Sequence, residues 1–141
     1  MNIRIDSPSP DVAHQDVEKY FAWLWPAFER SRFAYSMEEF DGELIDGTVL
    51  LVRVWSDDEP TAVACCKVQN IIDGKELLIM AVVGVESEYW LAELLESFEK
   101  LAAEVGCSHV CFEGRPGWQR LIKDEGYKLH LVTMRKAVNN D

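Results

Sequence analysis

Residues 48–113 constrain the fold most: three β-rich runs, one long amphipathic helix and one short apolar run follow each other with turn signals between them. Thr48 to Trp55 is dense in β-branched residues, Asp57-Asp58-Glu59-Pro60 is a turn, and Thr61 to Ile71 is a second strand. Asp73-Gly74 marks a tight hairpin and Glu76 to Val85 a third strand, so the three form an antiparallel meander. Between Glu88 and Val105 the apolar residues Leu91, Leu94, Leu95, Phe98, Leu101, Ala102 and Val105 recur at helical spacing. Ser87 stands where a cap would start that helix and Gly106 where one would end it. Ser108 to Glu113 is a short buried strand. A strand, a crossover helix and a second strand in one sheet run parallel, so the third and fourth strands are predicted to be parallel neighbours.

The flanks complete the pattern. Residues 1–10, with Ser7-Pro8-Ser9-Pro10, read as a flexible leader, and 11–141 as a single domain. A first helix begins near Asp11 and carries Val17, Phe21, Leu24 and Phe28, with a kink predicted at Trp25-Pro26. A second begins with a capping box, Ser36 and Glu39, flanked by the hydrophobic staple pair Tyr35 and Phe40, and closes at Gly47. After the fourth strand, Gly114-Arg115-Pro116-Gly117 is a turn and Trp118 to Asp124 a short helix. Gly126 is predicted to stop that helix with a positive φ, and Tyr127 to Ala137 is predicted to be the last strand. The fold class is therefore α/β (α+β), with a mixed sheet and the order α-α-β-β-β-α-β-α-β.

Composition excludes several functions. A net charge of -11 repels phosphate backbones, so nucleic acid is not the expected partner. The same charge suits a cationic substrate or a basic partner, and equally simple solubility. The longest apolar run, Leu77 to Val85, is too short to span a bilayer, and residues 1–10 carry no secretion signal, so a cytoplasmic location is expected. The four Cys at 65, 66, 107 and 111 contain no C-x-x-C pair, so no metal is expected and all four read as reduced thiols. Cys65 and Cys66 are adjacent and should face opposite sides of a strand.

The order of elements, together with certain local blocks, resembles the GNAT N-acetyltransferases over about Trp23 to Lys136. The blocks are Leu51-Val52-Arg53-Val54-Trp55, the Trp90 helix, Ala103-Glu104-Val105-Gly106-Cys107, Gly114-Arg115-Pro116-Gly117-Trp118-Gln119-Arg120 and Gly126-Tyr127. Within that family the chain is most similar to small GNAT-like proteins of bacteriophages, including internal virion proteins. The resemblance implies an amine attacking the thioester of acetyl-CoA, with the protein supplying positioning, oxyanion donors and proton transfer. It implies a cofactor cleft between the third and fourth strands, lined by Met80, Val82, Val83, Gly84 and Val85. Ser87 would mark the pyrophosphate end at the helix start. Arg115 could reach a phosphate or tie its own turn, and Glu113, ending the fourth strand, is the candidate catalytic carboxylate.

Some positions depart from that family's pattern. Val83-Gly84-Val85-Glu86-Ser87 has one glycine and no cation where the family's phosphate loop has more of both, and Glu86 and Glu88 are acidic there. Ile122 falls where many members carry a proton-donating Tyr, and Tyr127 falls at a position usually in the core. His14, His109 and His130 are scattered. Val82, Val83 and Val85 are bulky enough to fill the cleft. Two readings follow: a GNAT-like protein with a degenerate acyl-CoA site that binds a virion or host protein, or an active N-acetyltransferase of a small amine or basic protein. An acidic mimic of nucleic acid rests on net charge alone. The sequence leaves the oligomeric state open.

Overall fold

The computed structural model describes residues 2–30, 35–114 and 116–138. Five strands form one sheet in the order β1-β2-β3-β4-β5. They are β1 (Ile3–Asp6), β2 (Val49–Ser56), β3 (Glu59–Ile71), β4 (Gly74–Gly84) and β5 (His109–Phe112). Neighbours are antiparallel except β4 and β5, which run parallel with Glu76 opposite His109 and Ile79 opposite Phe112. The α-helices are α1 (Pro10–Gln15), α2 (Val17–Arg30), α3 (Met37–Asp46), α4 (Leu91–Glu104) and α5 (Pro116–Ile122). Short 3-10 turns cover Ser87–Tyr89 and Lys123–Glu125.

Period-two alternation divides the strand residues between two cores. Val49, Leu51, Val63 and Cys65 face α1, α2 and α3, whereas Val52, Val54, Ala62, Ala64 and Cys66 face α4. The adjacent cysteines thus point to opposite faces, as their spacing requires, and all four cysteines are free thiols. Phe40 and Phe98, both fully buried, anchor one core each.

Several local signals act as read. The Ser36 hydroxyl accepts from the Glu39 amide at 3.1 Å and the Glu39 carboxylate accepts from the Ser36 amide at 3.3 Å, closing the capping box. The Tyr35 and Phe40 rings lie 6.0 Å apart. Gly47 ends α3 in the left-handed region at φ 81°. Gly126 does the same after the Lys123–Glu125 turn, at φ 89°. At the end of α4 the Cys107 amide donates to Ala102 and the Gly106 amide to Ala103, the two bonds of a Schellman motif.

Other expectations are corrected. Within the leader, Ile3–Asp6 is a strand, paired antiparallel to β2 from Ile3 opposite Ser56 to Asp6 opposite Arg53. Pro26 lies inside α2 and does not restart it; the break falls at Asp16, between α1 and α2. The buried side chains Tyr20, Leu24 and Phe28 carry the helix across the missing donor. Residues 127–138 form no strand and pair with no ladder, so the expected final strand is absent among the described residues.

Candidate active site

The β4–β5 pair comes apart halfway along β4. Pairing ends at Ile79 opposite Phe112, while β4 continues to Gly84. On its other side β4 slips register at the same point. Cys66 pairs with Ile79 and Cys65 with Ala81, leaving Met80 as an extra residue. A bulge of this kind bends its strand and reverses the alternation beyond it. Accordingly Leu78, Met80 and Ala81 all join the core under α1–α3, and Val82 then packs on the α4 side. The bulge and the end of pairing coincide, so Met80–Gly84 presents a backbone edge that β5 does not cover.

Val82 and Val83 stand off opposite faces of the sheet, one against each core, and Val85 is 65% exposed. On β4, alternation directs the Val82 and Val83 side chains away from the strand's edge. Gly84 has a packing reason of its own. A Cβ there would lie 2.3 Å from Ala62 Cβ and 2.9 Å from the Thr61 carbonyl oxygen. Beyond it, Glu86 is held at φ 56°, a left-handed conformation that side chains resist. Ser87 opens a 3-10 turn and does not cap α4. Trp90 occupies the cap position, with no side-chain hydrogen bond to the helix. Trp90 itself is buried, and its indole N–H donates to the Val85 carbonyl at 2.7 Å, pinning the loop to the helix start.

The remaining candidates distribute unevenly. Glu113 follows β5 directly, one residue past Phe112, at the mouth of the splay and half-buried. Arg115 lies outside the described residues. Over Gly114, an added Cβ would meet the Trp118 ring at 2.9 Å, so the indole covers this turn. Ile122 is buried in the α4 core, and an alkyl side chain supplies no proton there. Tyr127 packs edge-on against Phe112 at 5.3 Å, and its hydroxyl is enclosed without a hydrogen-bond partner among the described residues. Burial, with the carboxylates of Glu99 and Glu125 nearby, pushes this phenol up to about 12.

The histidines lie away from the splay or serve the scaffold. His14 bonds Asp41 at 2.7 Å between α1 and α3. His109 sits at the far end of β5, beside Ser108. His130 is exposed, in the segment after Gly126 that carries no secondary structure. Burial pushes the Cys65 and Cys66 thiols far up, and burial with Glu76 and Glu113 nearby pushes Cys111 up to about 11. A thiol so raised is a poor nucleophile at neutral pH. No group of three or more metal-ligating side chains occurs among the described residues.

Packing also assembles two residues that spacing alone does not mark. Tyr35, from the staple before α3, donates its hydroxyl to the Met80 sulfur at 3.8 Å. Burial and the nearby Glu43 carboxylate raise its phenol well above the usual range. Glu43 reaches Lys67 at 3.6 Å through Oε1, while Oε2 is enclosed without a hydrogen-bond partner among the described residues. A half-buried carboxylate thus lies one side chain away from the bulge. The available signal was helical spacing: Glu43 is three residues from Phe40, on the inner side of α3.

No protein-family model matches the chain, and no curated protein matches it in sequence. Its three-dimensional fold does match solved structures. A predicted acetyltransferase of Clostridium acetobutylicum, solved with acetyl-CoA, superposes with a TM-score of 0.74 at 8% identity, covering 96% of each chain. An aminoglycoside acetyltransferase from an uncultured soil metagenomic sample gives 0.70 at 16% identity, over 99% of this chain and 100% of that one. Glucosamine-6-phosphate N-acetyltransferase of Arabidopsis thaliana gives 0.65 at 13% identity, with 99% and 100% covered. The fold is that of the GNAT acetyltransferases. Among the described residues, no helix is long and apolar enough to cross a membrane.

Proposed function

We propose that this chain is an N-acyltransferase, taking an acyl group from acetyl-CoA and passing it to a cationic amine. The observation that carries the reading is the splay at the Met80 bulge. It frees a strand edge whose outward amides can pair with an extended, amide-bearing arm such as pantetheine, and can hold a thioester carbonyl. Acetyl-CoA would supply the activated acyl group. Met80, Ala81, Val82 and Val83 would hold its arm through their backbone. The diphosphate end fits less well. The start of α4 has no side-chain cap, which suits an anion. Yet Val85 to Trp90 carries Glu86 and Glu88 and no cation. The predicted outcome is binding, with an affinity limited at the phosphates.

The acceptor side is acidic and aromatic. Tyr35 and Glu43 approach Met80 from the α3 side, and Glu113 approaches from the end of β5. A protonated amine suits such a wall, and so does the net charge of -11. Glu113 is the first candidate to accept the amine proton and Glu43 the second. Aminoglycosides, the acceptors named for one structural neighbour, exemplify this class of polycation.

A second reading keeps the fold without the chemistry: a protein that binds a virion or host protein, as the phage resemblance suggests. Glu86 and Glu88 at the phosphate end, and Ile122 in place of a donor, favour it. Titration calorimetry with acetyl-CoA and CoA decides between the two, followed by thiol release in the presence of polyamines and aminoglycosides. Micromolar binding and amine-dependent thiol release support the transferase. No binding at millimolar acetyl-CoA rejects it in favour of the second reading.

A further inference from the structure

The apex of the splay lies where the β4–β5 ladder stops, at Ile79 opposite Phe112. An arm laid along the free edge from Gly84 to Met80 carries its acyl group toward this apex. What surrounds the apex therefore limits how large that group can be. On the α4 side the boundary is made of rings. Phe112 meets Phe98 edge-on at 5.9 Å, and Phe98 is fully buried, so Phe112 is backed by the core. The Trp118 ring lies 5.3 Å from Phe112 and continues the wall past the end of the strand.

The indole is pressed onto the chain there. A Cβ on Gly114 would lie 2.9 Å from the indole Cδ1 and 3.6 Å from Nε1, so the missing side chain at Gly114 is what admits the ring. Phe112, Trp118 and Val82 all belong to the α4 side of the sheet. The other side of the indole is open. A hollow of about 490 Å³ lies there, lined by Gly117, Trp118, Arg120 and Leu121, all from α5. Leu121 is 57% exposed and gives this hollow an apolar wall. Trp118 thus stands as a partition, with the end of β5 on one side and a half-apolar hollow on the other. Space beside a packed ring is read one methylene at a time: a methylene more or less in an apolar pocket changes specificity roughly 10–200-fold.

We propose that Trp118 sets the acyl size of the donor, its indole closing the apex to groups longer than acetyl. Without the ring, the apex and the α5 hollow join, and a medium-length acyl chain finds room along Leu121. The inference rests on the transferase reading and narrows its donor.

Titration calorimetry of acetyl-CoA and hexanoyl-CoA against the native chain, Trp118→Ala and Trp118→Phe reads the ratio of the two affinities. The native chain is expected to favour acetyl-CoA, and a preference for hexanoyl-CoA overturns the proposal. Trp118→Ala is expected to move the ratio toward hexanoyl-CoA by about tenfold or more, and Trp118→Phe, which keeps a smaller ring against Phe112, by less. Lost packing alone would lower both affinities together and leave the ratio where it was. An unchanged ratio in Trp118→Ala overturns the proposal, while binding of acetyl-CoA by the native chain keeps the transferase reading. If the unfolding midpoint shows that the alanine variant does not fold, an unchanged ratio in Trp118→Phe overturns it instead. A native chain that binds neither donor rejects the transferase reading. In that case hexanoyl-CoA binding by Trp118→Ala still supports the indole as the barrier, and no binding by the variant overturns it.

Discussion

The strand Ile3–Asp6 belongs to the sheet and the segment 127–138 does not, and the two differ in what holds them. Four pairs join β1 to β2, but its side chains fix it further. Asp6 accepts two bonds from Arg53, at 2.8 and 2.9 Å, and one from the Trp55 indole at 3.3 Å. Arg53 also reaches the Tyr20 hydroxyl on α2 at 2.9 Å. Two guanidinium groups approach the Trp55 ring, Arg4 at 4.8 Å and Arg53 at 5.2 Å from its centroid. Ser7 donates to the Leu51 carbonyl at 2.6 Å, and the Asn2 amide to Asp57 at 2.8 Å. By contrast, 127–138 is anchored at Tyr127 and carries a run of exposed apolar side chains beyond it. A short edge strand holds its place when directional side-chain contacts add to its ladder.

The sharpest way to break the contrast is at Arg53. Arg53→Leu removes charged hydrogen bonds from a half-buried carboxylate and should cost about 2–3 kcal/mol in denaturant unfolding. A cost below about 0.5 kcal/mol would mean that β1 is held by its ladder alone. The same pair gives a pH signature. Burial works against the Asp6 charge, but the bonds from Arg53 and Trp55 outweigh it and hold the carboxyl below its ordinary value of 3.8. Its contribution is therefore full above that value and is lost as pH falls through the lower, folded one. Asp6→Asn should flatten the acid limb of the stability profile, and an unchanged limb would remove Asp6 from the account.

Gly126, which leads into the other region, comes next. Its φ of 89° resists a β-branched side chain, so Gly126→Val should cost about 1 kcal/mol or more. An unchanged midpoint would show that the chain can leave the preceding helix by another route. Glu86 works in the opposite direction. Glu86→Gly relieves a left-handed side chain and should stabilise by about 0.5–1 kcal/mol. Combined with Glu88→Arg, it should also tighten acetyl-CoA several-fold, each charge change contributing roughly 0.3–1 kcal/mol and most at low salt. Tight binding by the native chain with no gain in the double variant would move the phosphate site elsewhere. The smallest effect is predicted at Leu131→Ser, within about 0.5 kcal/mol, because its side chain is exposed. A larger loss would show that the segment packs on its own chain.

What the sequence determined by itself was local or periodic. Ser36 and Glu39 specify a helix start within four residues, Gly47, Gly106 and Gly126 specify stops, and the spacing from Leu91 to Ala102 specifies which face of α4 is buried. The run from Thr48 to Glu113 specified the meander, the crossover and the parallel pair, because chain connectivity leaves little alternative. Tertiary structure decided what depends on partners distant in the chain. Ile3–Asp6 is a strand because Arg53 and Trp55, some 50 residues on, receive Asp6. Pro26 stays within α2 because packing of Tyr20, Leu24 and Phe28 outweighs one missing donor. The site shows the same division. Glu113 could be placed at a strand end from the sequence, but the bulge at Met80, and the approach of Tyr35 and Glu43 to it, arise only when β3, β4 and α3 pack together. A bulge changes the pairing register without leaving a mark in residue type, and long-range packing is not encoded in any short window of sequence.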